Sequence, residues 1–281
     1  MLKSKFSAFL IKNLVDIKSA LYFYNLARSG IDKKSKPGDL KIFSIKNRER
    51  LLKIALRANT TDIGTFAEVF HQKIYNLPEI FQPKIIIDIV ANIGMASLFL
   101  SVKYPHSRIY SFEPSSENLK CLNKNLHINL CENVLVLPYG LGGGDALLPL
   151  YQSEEGGFWG CSVYEGKGST LVESVQIRSA QSAFRELGLE EIDLMKIDCE
   201  GAEVDLLKSL NSDRRSKIRV MIGELHPEVS NSYAFLKLLN ETHFVDCKKG
   251  YGDKCIHFVA VSREETLDDL RQQLGIPYFV R

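Results

Sequence analysis

The stretch "KIIIDIVANIGMASLFL", Lys84 to Leu100, reads as a strand, a tight turn and a helix. Its consecutive isoleucines imply a strand covered on both faces, as in a parallel sheet. Met95, Leu98, Phe99 and Val102 then fall at i, i+3, i+4 and i+7, the period of a helix with one apolar face, and Pro105 closes that element. The strand ends on an acid, Asp88, and the loop keeps a single glycine, Gly94. Such a loop brings backbone close to a ligand beyond the carboxyl end of a strand.

Downstream the same alternation repeats. "RIYSFE", "NVLVLP", "IDLMKID" and "IRVMIGEL" are continuous apolar runs separated by helical patterns, which predicts an α/β domain with a doubly wound, mostly parallel sheet. Pro114 stands where a first helical turn would begin, with Leu119, Leu122 and Leu126 behind it. "HFVDCK" and "CIHFVAVS" flank "KGYGDK" and read as a closing hairpin. Between Leu141 and about Ser174 a glycine-rich stretch, which holds the only tryptophan, Trp159, reads as an irregular lid or binding loop.

Upstream, "MLKSKFSAFLIKNLVDIKSALYFYNLA" has the look of an amphipathic helix. Lys12, Asp16 and Lys18 interrupt any run long enough to span a membrane or serve as a signal peptide. It reads as docked on its own domain or on a second copy in a homodimer, with weak peripheral membrane contact as the alternative. "SGIDKKSKPGDLK" follows as a hinge, then "NRERLLKIALRA" and "TFAEVFHQKIY" as two more helical stretches. The expected division is a helical extension over 1–80 and an α/β domain over 81–281, with the insertion at about 141–174.

The bulk properties exclude several classes. A net charge of +2 with no basic stripe argues against nucleic acid, and 45% hydrophobic with 25% charged residues is ordinary for a globular chain. Six cysteines without a CxxC pair suit a reducing, cytoplasmic setting.

Four acids fall at the carboxyl ends of predicted strands: Asp88, Glu113, Asp198 and Glu224. Together they would repel unless a cationic or hydroxyl-rich ligand lay among them. Glu113 ends the second strand of the series, where a carboxylate accepts the hydroxyls of a ribose. "VANIGM" lacks the GxGxxG of a pyrophosphate site, and no GxxxxGK[ST] loop is present. A positively charged nucleoside without phosphate, S-adenosylmethionine, fits these acids better than a nicotinamide dinucleotide.

"IIIDIVANIGMASLFL", "IYSFEPSSENLKCLNKN", "IDLMKIDCEGAEVDLLKSL" and "IGELHPE" together resemble the FkbM-type branch of the class I S-adenosylmethionine-dependent methyltransferases, from about Asp62 to about Ser262. The resemblance implies a Rossmann-like sheet of about seven strands with the last antiparallel, and O-methylation of a hydroxyl on a sugar, glycan or natural product. It places Asp88, Asn92, Gly94 and Glu113 along the cofactor, with Val90, Pro114 and Tyr139 beside them, and Asp198 and Glu200 at the methyl-transfer end. Two departures stand out. Val90 replaces the first glycine of the usual D-x-G-A-N-I-G, at about 1 to 3 kcal/mol if the position needs φ > 0. "RSAQSAF", Arg178 to Phe184, replaces a T-L-D run. A degenerate, non-catalytic binding protein on the same fold is the rival reading.

Transfer requires an aligned acceptor oxygen and a base for its proton. The candidates are Asp198, Glu200, Glu224 and His226, with His226 favoured because an imidazole titrates near neutrality. Asp198, Glu224 and His226 also offer a site for Mg²⁺. Glu203 is expected to serve its helix N-terminus and Lys196 to pair with one of the acids.

Overall fold

The computed structural model describes residues 9, 12–14, 34–47, 50–153, 161–163, 165, 169–199, 201–228, 230–250 and 255–276. Most of the expected N-terminal helix, together with Trp159 and Glu200, lies outside them.

The first two elements differ from expectation. Strand β1 (Leu40–Asn47) and strand β2 (Arg50–Arg57) form an antiparallel hairpin where "NRERLLKIALRA" was expected to be helical. Leu52, Ile54 and Leu56 are buried at period two, and the good helix formers around them are overridden by pairing with Phe43 and Ile45. Helix α1 (Asp62–Phe66) continues into a π-helical turn, Ala67–Gln72, and Lys73 ends it at φ 58°.

The central sheet then follows as β3 (Ile85–Ile89), helix α2 (Met95–Lys103), β4 (Arg108–Phe112), helix α3 (Ser116–Ile128) and β5 (Val134–Leu137). The helix after Pro114 starts two residues later than expected, with Ser115 as its N-cap. Asn125 of α3 and its C-cap, Asn129, seal the outer edge of β2. Asn125 Oδ1 accepts from the Ala55 amide at 2.8 Å, and Asn129 Oδ1 accepts from the Lys53 amide at 2.9 Å. Such side chains satisfy an edge that would otherwise pair elsewhere.

The expected irregular lid is in good part a second sheet. Strands β6 (Gly140–Gly142), β7 (Ala146–Ser153), β8 (Cys161–Ser162) and β9 (Ser169–Ser179) make four strands in the order β6-β9-β7-β8. Leu150, Val175 and Ile177 cluster on its buried side, an alternation that the intervening glycines obscured. "RSAQSAF" forms the end of β9 and the start of helix α4 (Ala180–Glu186).

The chain returns through β10 (Ile192–Ile197), helices α5 (Glu203–Ser209) and α6 (Ser212–Ser216), β11 (Ile218–Leu225), helix α7 (Ser232–Asn240), β12 (His243–Lys249), β13 (Ile256–Ser262) and helix α8 (Asp268–Gln273). The large sheet has seven strands in the order β12-β13-β11-β10-β3-β4-β5, with β13 antiparallel to both neighbours. The order reverses between β3 and β10, which opens a crevice at their carboxyl ends.

Both faces are covered. Ile86, Leu194 and Val220 pack on the side of α2 and the π-helical turn; Ile87, Met195 and Met221 pack on the side of α4, α5 and α7. Side chains alternate between faces along a strand. Asp88, Lys196, Asp198 and Glu224 therefore fall on the first of these sides.

Candidate active site

The loop after β3 turns through three left-handed residues, Val90 at φ 58°, Asn92 at φ 51° and Gly94 at φ 83°. Glycine and asparagine tolerate that region, whereas a β-branched side chain is strained in it. The strained turn is pinned from three sides. The Ala91 amide donates to the Phe112 carbonyl at 2.8 Å, the Asn92 amide donates to Glu113 Oε2 at 2.7 Å, and Lys196 Nζ donates to the Val90 carbonyl at 2.9 Å. Gly94 lets α2 approach α3, since a Cβ there would lie 3.1 Å from Leu122 Cγ.

Glu113 sits one residue beyond β4, 1% exposed. Its Oε1 accepts from the Ser115 amide at 2.9 Å and from Asn118 Nδ2 at 3.2 Å. Burial pushes its carboxyl up to about 6 against these donors. A carboxylate has about four acceptor positions, so three donors leave one on Oε2. Pro114 is half-buried beside Gly140. Tyr139 packs edge-on against Phe112 and under the Arg178 guanidinium.

Asp88 lies deeper than a rim position. It is fully buried, takes the Ser97 hydroxyl at 2.6 Å on Oδ2, and pairs with Lys196 Nζ at 3.3 Å through Oδ1. Lys196 also lies 3.7 Å from Asp198, so the cation among these acids is supplied by the chain itself. Burial acts to lower the Lys196 ammonium, but Asp88 and Asp198 outweigh it and hold it above the usual range. Tyr75, which the chain reversal at Lys73 carries over the sheet, donates to Asp198 Oδ2 at 3.2 Å and stands beside Lys196. Burial first, then Asp198, raises the Tyr75 phenol far above its ordinary value. Asp198 is itself raised by burial.

Glu224 is the next acid along this rim. Gly223 brings the two strands together, since a Cβ there would land 1.7 Å from the Ile197 carbonyl oxygen. His226 follows β11, with Nε2 3.9 Å from Asp198 and Nδ1 2.9 Å from Glu203 Oε1. Glu203 opens α5 as expected and accepts from the Gly201 amide, yet it also grips His226. Burial acts to raise Glu203, and the His226 hydrogen bond with the backbone donors outweighs it, so the carboxyl lies below its usual range. An ionised carboxylate only accepts, so Nδ1 carries a proton toward Glu203, and Nε2 is left facing Asp198. Asp198, Glu224 and His226 place ligand atoms within 4.8 Å of one another.

Residues 88–251 match the family described as the methyltransferase FkbM domain. The chain belongs to the FkbM methyltransferase family. Methyltransferase sdnD of Sordaria araneosa is 29% identical over 188 residues, covering 57% of this chain and 73% of that protein. Methyltransferase 1 of Beauveria bassiana is 27% identical over 179 residues, covering 56% and 71%. A precorrin-6y C5,15-methyltransferase from Geobacter metallireducens covers 73% of this chain and 91% of its own at 12% identity and a TM-score of 0.42, a likeness too loose to bear on function.

The FkbM methyltransferase fold implies S-adenosylmethionine as methyl donor, and the residues fit it. Glu113 keeps an acceptor position for a ribose hydroxyl, and the anchored loop over Val90 and Asn92 supplies backbone but no phosphate cradle. Four residues of the site were missed, or read differently, in the sequence of this methyltransferase. Tyr75 carries no local signal. Glu203 read as a helix-end acid because nothing in the sequence shows His226 folding back on it. His257 and Cys255 could have been found, because "CIH" repeats the alternate spacing of "ELH".

Proposed function

We propose that the enzyme transfers the methyl group of S-adenosylmethionine to a hydroxyl oxygen of a sugar, glycan or natural-product acceptor, with His226 as general base. The observation that carries this reading is the Glu203–His226 hydrogen bond, 2.9 Å at Nδ1, which sets the tautomer and aims Nε2 into the rim beside Asp198. Bound in the crevice, the cofactor supplies a methyl group already activated by its sulfonium. Glu113 would hold its ribose, and the pinned loop over Val90 and Asn92 would shape the wall beside the rest of it. His226 takes the hydroxyl proton at Nε2, and Glu203 steadies the imidazolium that forms. A positioned base contributes about 10² to 10⁴ in rate.

Asp198 and Glu224 divide the remaining work through opposite environments. Burial raises Asp198, whereas at Glu224 the hydrogen bond and charge of His257 overcome burial and hold the carboxyl low. Asp198 is thus suited to bind an acceptor hydroxyl and Glu224 to stay ionised. Mg²⁺ suits the triad less well, because it prefers oxygen ligands and the Lys196 ammonium already stands 3.7 Å from Asp198. The cytoplasmic setting and a small-molecule or glycan partner belong to the same proposal; among the described residues no helix is long and apolar enough to cross a membrane. Incubating the enzyme with methyl-labelled cofactor and sets of glycans and natural-product alcohols, then locating the label by mass spectrometry and NMR, tests it. Label on oxygen supports the proposal; label only on nitrogen or carbon contradicts it.

A further inference from the structure

A second ligand cluster shares Glu224 but does not include His226. Glu224 of β11 stands directly opposite His257 of β13 in the antiparallel register, and Cys255, the residue just before β13, joins them. Glu224 Oε1 lies 3.3 Å from His257 Nε2, and a ligand atom from each of Glu224, Cys255 and His257 lies within 4.8 Å of the others. The cluster is built and not merely adjacent. Gly250 donates its amide to the Cys255 carbonyl at 2.9 Å, and a Cβ on Gly250 would come within 2.2 Å of Cys255 Sγ and 3.0 Å of the His257 ring. Only glycine lets that backbone close over the thiol. Access remains, because His257 is 28% exposed while Glu224 is 13% and Cys255 9% exposed.

We propose that Glu224, Cys255 and His257 form a binding site for a borderline-soft divalent transition ion, Zn²⁺ above all. The donor set decides the class. A sulfur, an imidazole nitrogen and a carboxylate oxygen are the ligands that Zn²⁺ takes, while Mg²⁺ and Ca²⁺ prefer oxygens alone. Three protein ligands leave a fourth position for water or an acceptor oxygen, the pattern of an open zinc site. Binding displaces the Cys255 thiol proton to solvent and replaces the Glu224–His257 ion pair with metal bonds, so affinity rises with pH. The site stands whether or not His226 acts as a base, since it shares only Glu224 with that rim and takes Cys255 and His257 from the neighbouring chain segment.

The test uses the full chain, stripped with chelator and titrated with Zn²⁺ by calorimetry and with Co²⁺ by absorption. The expected result is about one ion per chain with a thiolate-to-cobalt charge-transfer band. Cys255→Ser should abolish the band, and both Cys255→Ser and His257→Ala should weaken Zn²⁺ by about tenfold or more. His226→Ala should keep the band. Circular dichroism confirms that each variant is folded, and the wild-type cobalt spectrum decides the matter even if one is not. No ion bound by the wild type, no charge-transfer band, a band surviving in Cys255→Ser, or binding lost only in His226→Ala would each overturn the proposal.

Discussion

Glu203 Oε1 lies 2.9 Å from His226 Nδ1, joining the first turn of α5 to the end of β11. The bond connects a helix-end carboxylate with no exposed surface to an imidazole at the rim. His226→Ala should lower kcat at least about tenfold, and Glu203→Gln by a comparable factor, with S-adenosylhomocysteine affinity nearly unchanged in both. Glu203→Gln should also move the pH profile of kcat, because the imidazolium loses its charged partner. Full activity in His226→Ala removes histidine from the chemistry.

Val90 is a β-branched residue at φ 58°. A left-handed conformation costs an L-residue roughly 1 to 2 kcal/mol, and glycine returns part of that gain through a more flexible unfolded chain. Val90→Gly should therefore raise stability by up to about 1 kcal/mol and tighten cofactor binding. Denaturant unfolding and calorimetry measure the two, and lower stability with weaker binding would refute the strain account.

Glu113 is raised from 4.5 to about 6 by burial. The folded state therefore holds its proton more tightly than the unfolded chain between those values, and stability falls as pH rises through that window. The cost above pH 6 is about 2 kcal/mol. Cofactor affinity should run the other way, rising with pH through about 6 as the carboxylate becomes fully available to the ribose. Glu113→Gln should flatten both profiles; an affinity profile unchanged by the substitution separates Glu113 from the cofactor.

Gly223→Ala would put a Cβ 1.7 Å from the Ile197 carbonyl oxygen. Strands β10 and β11 must then part, with a stability loss of about 2 kcal/mol or more. Activity should fall further than stability explains, because Asp198 and Glu224 separate. A variant of ordinary melting temperature would show that the strands have room to spare.

The sheet was legible because its strands are apolar on both faces and their order follows from alternation with helices. The cofactor loop was legible for the same reason: its residues are consecutive. The hairpin was not, since Leu51, Leu52, Ala55 and Leu56 satisfy a helical period about as well as Leu52, Ile54 and Leu56 satisfy a strand's, and the asparagines that decide between them lie in α3 and at its C-cap. The rim acids were found singly and Lys196 was rightly expected to pair with one of them, but its bridging of Asp88 and Asp198, and the phenol above them, Tyr75, depend on contacts that in two cases span more than a hundred residues. Long-range electrostatics of that kind leaves no periodic trace.

The central claim, that the crevice beside Glu113 takes S-adenosylmethionine, is tested most directly by calorimetric titration of S-adenosylhomocysteine into the wild type and Glu113→Ala. The account predicts saturable binding at about one site per chain, weakened tenfold or more in the variant, which is ~1.4 kcal/mol or above. Absence of binding to the wild type, or equal affinity in a folded Glu113→Ala protein, would contradict it.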